Sequence, residues 1–333
     1  MLIEWATPPY GVDDLEPGAA DGYRTPASLL REGDKVRCCV GGCHRLLPRR
    51  ARGKPATFCP IHGISVSMSP TYVYQDWKRN ILLRHDLMAV VKQLKVESWR
   101  LGSETSEDAL SWNVFVGLAH LGGLSEAFEA LTGRKARSAP QLFLWGVEVS
   151  PTEEPRFWSR LAEVRAELEP RLPTPTEPDI MLWVPGQAIV LIEAKFGSPN
   201  GTLGRKKDGN PHDFLTRYRP PSGRSDPLDR QNILSKPPDE ILEQLSRNVL
   251  FATWLARGDE EPFVANLVRA SVETDVEERM HQHLSAAAQT RLRRVAWETL
   301  GRLPTMQRPE AASLSHYLQN KTLRLQPAFT TAP

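Results

Sequence analysis

The sequence has no apolar run long enough to cross a membrane. Its most apolar helical candidate, Ile81–Val91, is interrupted by Arg84, His85 and Asp86, whereas a span needs about 20 mostly apolar residues. Its start, Met-Leu-Ile-Glu-Trp-Ala-Thr-Pro-Pro, lacks the basic region and apolar run of a secretory leader. A strong charge of one sign is missing too: 42 Lys and Arg against 40 Asp and Glu leave +2. The molecule as a whole is no polycation, so contact with a polyanion has to come from local patches. No internal repeat or low-complexity tract breaks the chain. These absences set the expectation of a soluble, cytoplasmic protein. Its 333 residues, 40% of them hydrophobic, suffice for one large domain or a domain with a smaller appendage.

Cysteine is scarce, and its placement is informative. The four residues Cys38, Cys39, Cys43 and Cys59 share one short window with His44 and His62. The pattern is C-C-x3-C-H followed, after an interval, by C-x2-H. Short-spaced ligand pairs separated by a knuckle of chain match structural Zn²⁺, which takes four ligands tetrahedrally. Cys39, Cys43, Cys59 and His62 are the chosen set, with Cys38 as an alternative to Cys39 and His44 as a spare. Disulfides would suit a secreted chain, and nothing points to secretion. The same window carries Arg37, Arg45, Arg49, Arg50, Arg52 and Lys54, with no acid between the two ligand pairs. A rigid module presenting Arg and Lys suits phosphate contact; the bland alternative is solvated surface. Tyr72, Tyr74 and Trp77 follow, and are read as packing between the module and its neighbour rather than as base-stacking platforms.

The second informative stretch is Thr176–Pro199. Two apolar runs, Ile180–Val184 and Ala188–Ile192, flank Pro185-Gly186-Gln187, which reads as a hairpin turn. Asp179 lies seven residues before Gly186 and Glu193 seven after. A turn centred on Gly186 sets these two acids opposite each other, with Cβ atoms about 5 Å apart. Lys195 shares the face of Glu193 because strand side chains alternate; its own mirror partner is Glu177. Two converging carboxylates beside an ammonium suit a hard cation such as Mg²⁺, or else a structural salt-bridge cluster. Both faces of these strands are apolar, which predicts a sheet covered by helices on each side.

Glu-Pro-Asp-Ile on one strand and Ile-Glu-Ala-Lys on the next resemble the PD-(D/E)XK signature of restriction-endonuclease-like nucleases. The resemblance covers roughly residues 105–270. It implies an α/β fold with an α-β-β-β-α-β core, a mixed sheet flanked by helices, to which the N-terminal zinc-binding module is an addition. It implies Mg²⁺ held by Asp179 and Glu193 with the Ala194 carbonyl, and Lys195 positioning or helping to deprotonate the attacking water. It also implies an outer acid, assigned to Glu107, on the helix before the sheet. A polar residue on the helix after the sheet's third strand is assigned to Gln244. The expected function is a Mg²⁺-dependent endonuclease acting on DNA, with restriction or phage defence fitting such an architecture and a homodimer compatible with it. A non-catalytic zinc-finger nucleic-acid-binding protein with an inactive nuclease core is the alternative. A third class is a structural partner in a larger complex.

The remaining expectations concern organisation. Residues 1–35 read as an extended arm, 36–78 as the zinc module and connector, and 79–333 as the nuclease-like domain. Helices are expected over 79–95, from Thr105 with a Thr105/Asp108 capping box, and over 124–131, 155–168, 237–256, 274–284, 290–300 and from 311. Strands are expected over 141–149 and 263–270, and a long basic loop over 196–236. Glu148, at the end of the first strand, is a lesser acid candidate.

Overall fold

The computed structural model describes residues 31–32, 35–94, 100–150, 154–169, 176–205, 209–220 and 223–329. Most of the expected N-terminal arm, residues 170–175 and Lys206–Asp208 lie outside them. Among the described residues no helix is long and apolar enough to cross a membrane. The chain divides into two compact units: residues 1–89, 98–117 and 306–333, and residues 90–97 and 118–305.

In the first unit, β1 (Arg31–Glu32), β2 (Lys35–Arg37) and β3 (Leu46–Leu47) form a small antiparallel sheet. β4 (Ile64–Val66) and β5 (Tyr72–Tyr74) form a hairpin. Val36, Leu47, Ile64, Val66, Tyr72 and Leu325 pack with the four cysteines into one core. A core this small needs a staple besides apolar burial. Tyr72 and Tyr74 are buried, in the module's own core rather than as the expected packing between the module and its neighbour. Tyr72 donates its hydroxyl to the Arg37 carbonyl at 2.6 Å. Tyr74 donates to Glu104 at 2.5 Å, and the other Glu104 oxygen accepts the Thr322 amide at 3.0 Å. Leu325 and Thr322 tie the C-terminal segment to this unit, so the units depart from the expected boundary at residue 78.

α1 (His85–Leu94) and α2 (Glu107–His120) follow; the division passes after Ala89 and after Gly117. Ser106, not Thr105, caps α2: its Oγ accepts the Ala109 amide at 3.1 Å. The expected capping box does not form, because Ala109 has no side chain to return the bond, and Thr105 Oγ1 lies 3.1 Å from Ser103 Oγ instead.

The second unit is built on a seven-stranded mixed sheet. After α3 (Leu124–Thr132) come β6 (Gln141–Leu144), β7 (Val147–Glu148), β8 (Arg156–Phe157), α4 (Ser159–Leu168), β9 (Ile180–Val184) and β10 (Ala188–Ala194). Then follow α5 (Pro211–Arg217), α6 (Arg230–Ser235), α7 (Glu243–Leu255), β11 (Glu261–Val268) and β12 (Leu292–Ala296). The strand order is β12-β11-β10-β9-β6-β7-β8. β10, β11 and β12 run parallel, and every other pair is antiparallel. The parallel β10–β11 pair requires a crossover, and α7 lies within it. Every residue of β10 is buried, in line with a sheet covered on both faces.

Three expectations change. The strand expected over 141–149 is a hairpin, because Trp145 (φ 52°) and Gly146 (φ 83°) both turn left-handed, as a tight two-residue turn requires. The helix expected over 290–300 begins as β12. Its apolar spacing fits a helix, but parallel pairing with β11 wins, and only Trp297–Leu300 coils. The loop expected over 196–236 contains α5 and α6, whose Phe214, Leu215 and Ile233 enter the sheet core. Two of its arginines are structural. Arg224 donates to the Trp254 carbonyl at 3.0 Å, and Arg230 to those of Leu215 and Tyr218 at 2.7 and 2.8 Å.

Glu260, in the turn between α7 and β11, clasps this unit together. It is paired with Arg160 and accepts from Trp183 Nε1 at 2.8 Å, Arg257 N at 2.9 Å and Gly186 N at 3.2 Å. Arg160 lies 5.6 and 5.5 Å from the rings of Trp158 and Trp183. Burial raises the Glu260 pKa, but the Arg160 and Trp183 hydrogen bonds outweigh it and bring the carboxyl down to about 2.

Candidate functional site

In the first unit, Cys38, Cys43, Cys59 and His62 present ligand atoms that all lie within 4.8 Å of one another. His62 Nδ1 is 3.5 Å from the sulfurs of both Cys38 and Cys59. Ligands held at about 2.0–2.3 Å around a tetrahedral Zn²⁺ are about 3.5–3.8 Å apart, so the spacing fits a metal such as zinc. This corrects the choice of Cys39: Cys38 is the member of the group. The Cys38 amide donates to the Arg45 carbonyl at 2.8 Å, continuing the β2–β3 pairing, and alternation sets Cys38 on the side of Val36. Cys39 falls beyond that pairing, ahead of the turn closed by Cys43 N to Val40 O at 3.1 Å with Gly42 at φ 76°. Two adjacent cysteines have the same spacing to the other ligands within one residue, so sequence left the choice open.

Burial pushes the Cys38 thiol up, and neighbouring Cys39 adds to it. Burial acts the same way on Cys59, but the amides of His62 and Ile61 aim at its sulfur and bring it below its ordinary value. A coordinated cation is what lets such buried thiols ionise.

In the second unit the β9–β10 register pairs Val184 with Ala188 and runs to Ile180 with Ile192. Continued by one step, it sets Asp179 opposite Glu193, as the turn centred on Gly186 predicts. Gly186 itself has φ 68°. Asp179 Oδ2 accepts the Ala194 amide at 2.9 Å; its carboxylate stands in for the backbone acceptor that β9 stops supplying. Glu193 and Lys195 are 3% and 8% exposed, and Lys195 Nζ lies 2.6 Å from Glu193 Oε1. Asn248 on α7 donates to Glu193 Oε2 at 2.8 Å. Lys195 is fixed through its backbone, its amide bonded to Leu267 O at 2.8 Å and its carbonyl to Trp297 Nε1 at 3.0 Å.

The polar surroundings extend across the sheet. Asn266 on β11 is the register partner of Glu193. Its Oδ1 accepts from Asn200 Nδ2 at 2.9 Å. Glu273, at φ 50°, accepts the Asn200 amide at 2.8 Å and Asn266 Nδ2 at 3.1 Å. Burial weakens the charge of Arg247 on α7, but Tyr218, Glu193, Glu169 and Glu243 around it more than restore it. Glu193 thus has Lys195 and Asn248 on its two oxygens and the charge of Arg247 nearby.

The other expected residues fall elsewhere. Gln244 accepts the Gly201 amide at 3.1 Å and so orders the chain after β10; Asn248, one turn further, is the residue that reaches Glu193. Glu107 is half-buried in the first turn of α2, in the first unit. Glu148 is ion-paired with Arg156 at 2.7 Å. Glu177 precedes the paired part of β9 and, with Glu169, partly offsets the burial that lowers the Arg165 pKa. Sequence reasoning missed Asn248, Asn266 and Glu273. Only Asn248 left a trace, at i+4 from Gln244 on the helical stripe edge. No protein-family model matches the chain, and neither the curated proteins nor the solved structures contain a match.

Proposed function

We propose that the second unit is a metal-dependent phosphodiester hydrolase, a nuclease acting on DNA, and that the Cys/His cluster is a structural zinc site. The reading is carried by the β9–β10 register, which ends at Ile180 with Ile192 and, extended by one residue, would bring Asp179 level with Glu193, whose carboxylate is ion-paired with Lys195. Within the second unit the order β6, β9, β10, α7, β11 supports it, since it follows the strand, strand, strand, helix, strand part of the restriction-endonuclease-like core. Further elements are inserted after β6 (β7, β8 and α4) and after β10 (α5 and α6).

The donor set fits Mg²⁺, which prefers carboxylate and carbonyl oxygens. Asp179, Glu193 and the Ala194 carbonyl would hold it, and it would supply charge neutralisation at the phosphoryl group and acidification of a bound water. Glu193 carries the Lys195 ammonium on one oxygen and the Asn248 amide on the other. Lys195, which in this structure is ion-paired with that carboxylate, holds a mobile proton at Nζ next to the acids. From there it orients the attacking water and offsets developing charge on a phosphoryl oxygen.

One observation favours the second reading, an inactive core that only binds nucleic acid: Glu193 is deeply buried with both oxygens engaged. The two part in a simple assay. Plasmid, single-stranded DNA and RNA are incubated with the protein in Mg²⁺ and in EDTA. Cleavage that needs Mg²⁺ and disappears in Asp179→Ala and Lys195→Ala proteins that still fold supports the hydrolase. Cleavage persisting in both variants would remove the assigned site. Absence of cleavage on all three polymers leaves the binding protein.

A further inference from the structure

We infer that the exposed loop Pro48–Pro55 of the first unit, together with Arg45 just before it, is a clamp for the phosphate backbone of duplex DNA, held in shape by the Cys/His cluster. It rests on the nucleic-acid reading above but not on the chemistry of Glu193. No Asp or Glu occurs between Lys35 and Gln75, a stretch that holds seven Lys and Arg. Within it Arg45, Arg49, Arg50, Arg52 and Lys54 are all exposed. Arg45, Arg52 and Lys54 make no side-chain hydrogen bond or ion pair among the described residues. Uncompensated like charge on a small module is unfavourable alone and is relieved by a polyanion.

The loop is ordered, which separates it from a mere solvated charge run. Arg49 bridges to Val66, and the Arg50 amide donates to the Val66 carbonyl at 2.9 Å. Its tip closes through Lys54 N to Ala51 O at 3.1 Å, with Gly53 at φ 73°. Arg50 Nε donates to the Lys54 carbonyl at 2.9 Å, and Arg49 Nη2 to that of Met68 at 2.7 Å. Val66, the base of the loop, packs in the core that contains Cys38, Cys43 and Cys59. A metal at the cluster therefore organises the loop without touching the ligand.

The chemistry points to a duplex. Arg is the side chain whose planar fork matches phosphate oxygens. Bases of a single strand need exposed aromatic platforms, and Tyr72 and Tyr74 are buried and hydrogen-bonded. An acidic protein surface would also attract the loop, but a duplex presents one charge per about 1.7 Å of axis.

The test is fluorescence anisotropy of a labelled DNA duplex with the full-length, zinc-loaded chain, without Mg²⁺, across a salt series. Arg45→Gln, Arg52→Gln and Lys54→Gln together should lower the slope of log Kd against log salt by about 3, at about 0.9 per lost phosphate contact. These side chains hold nothing in the fold, so circular dichroism should stay unchanged. Cys59→Ser should weaken binding through loss of the metal. An unchanged slope in the triple variant overturns the clamp, as does a single strand or a polyglutamate peptide binding as tightly as the duplex. Undiminished binding by zinc-free Cys59→Ser protein overturns the role given to the cluster. Binding is read without cleavage, so failure here and failure of the hydrolase reading show in different assays.

Discussion

The two polar clusters solve opposite problems. In the first unit the ligand atoms of three buried cysteines and His62 converge within 4.8 Å of one another, and burial with the neighbouring Cys39 pushes the Cys38 thiol up. In the second unit Glu193 is as deeply buried, yet Lys195 and Asn248 occupy its oxygens and Arg247 stands close by. The first cluster is incomplete without a cation; the second already contains one. The first should therefore depend on its metal for folding, while the second should stand without it and take an ion only if Lys195 yields.

Four experiments press on that contrast, from the largest effect down. Removing the metal should unfold the small module outright, since structural zinc contributes on the order of 10 kcal/mol. Elemental analysis should find one zinc per chain in the wild-type and Cys39→Ser proteins and none in Cys38→Ser; zinc retained by Cys38→Ser would return the choice to Cys39. Breaking the Glu193–Lys195 pair comes next. Glu193→Gln or Lys195→Met should each cost about 3–5 kcal/mol in urea unfolding, and the double substitution less than the sum, because each single change strands a buried charge. Additive losses would mean that the pair is not coupled.

The Glu260 clasp tests an ion pair with no proposed chemistry. Its carboxyl lies near 2 when folded and near 4.5 when unfolded. Its contribution is thus fully present above pH 4.5 and is lost as pH falls towards 2, at most about 3 kcal/mol. Glu260→Gln should lose that amount at pH 7 and progressively less on acidification; a gap independent of pH would put the effect down to packing. Smallest is Tyr72→Phe, which removes one 2.6 Å bond to the Arg37 carbonyl and should cost about 1–2 kcal/mol. Thermal unfolding of the first unit checks it.

What could be read from sequence was local and symmetric. The hairpin declared its register because Pro185-Gly186 is a strong turn signal and alternation carries Asp179 and Glu193 to one level from there. The Cys/His window declared itself by spacing, except between two adjacent cysteines, where only the direction of a strand decides. What stayed hidden depended on distant chain. Leu292–Ala296 has helical spacing and becomes a strand because β11 offers it an edge. Trp145 gave no turn signal, since a bulky residue with positive φ is unexpected. Gln244 and Asn248 stand one turn apart, and the crossing of α7 over β10 determined which of them meets Glu193. Asn266 and Glu273 come together with Asn200 from strand, turn and loop, a grouping without linear signature.

Asp179 lends its carboxylate to the Ala194 amide, and that loan has a spectroscopic consequence. The amide sits at the last step of a ladder completed by a side chain rather than by main chain. Its proton should resist exchange with deuterium as long as the carboxylate stays put. A divalent ion drawing on the same carboxylate would change the chemical shift and the exchange rate of that one proton. Ala194 is therefore a built-in reporter, readable by NMR before any substrate is known.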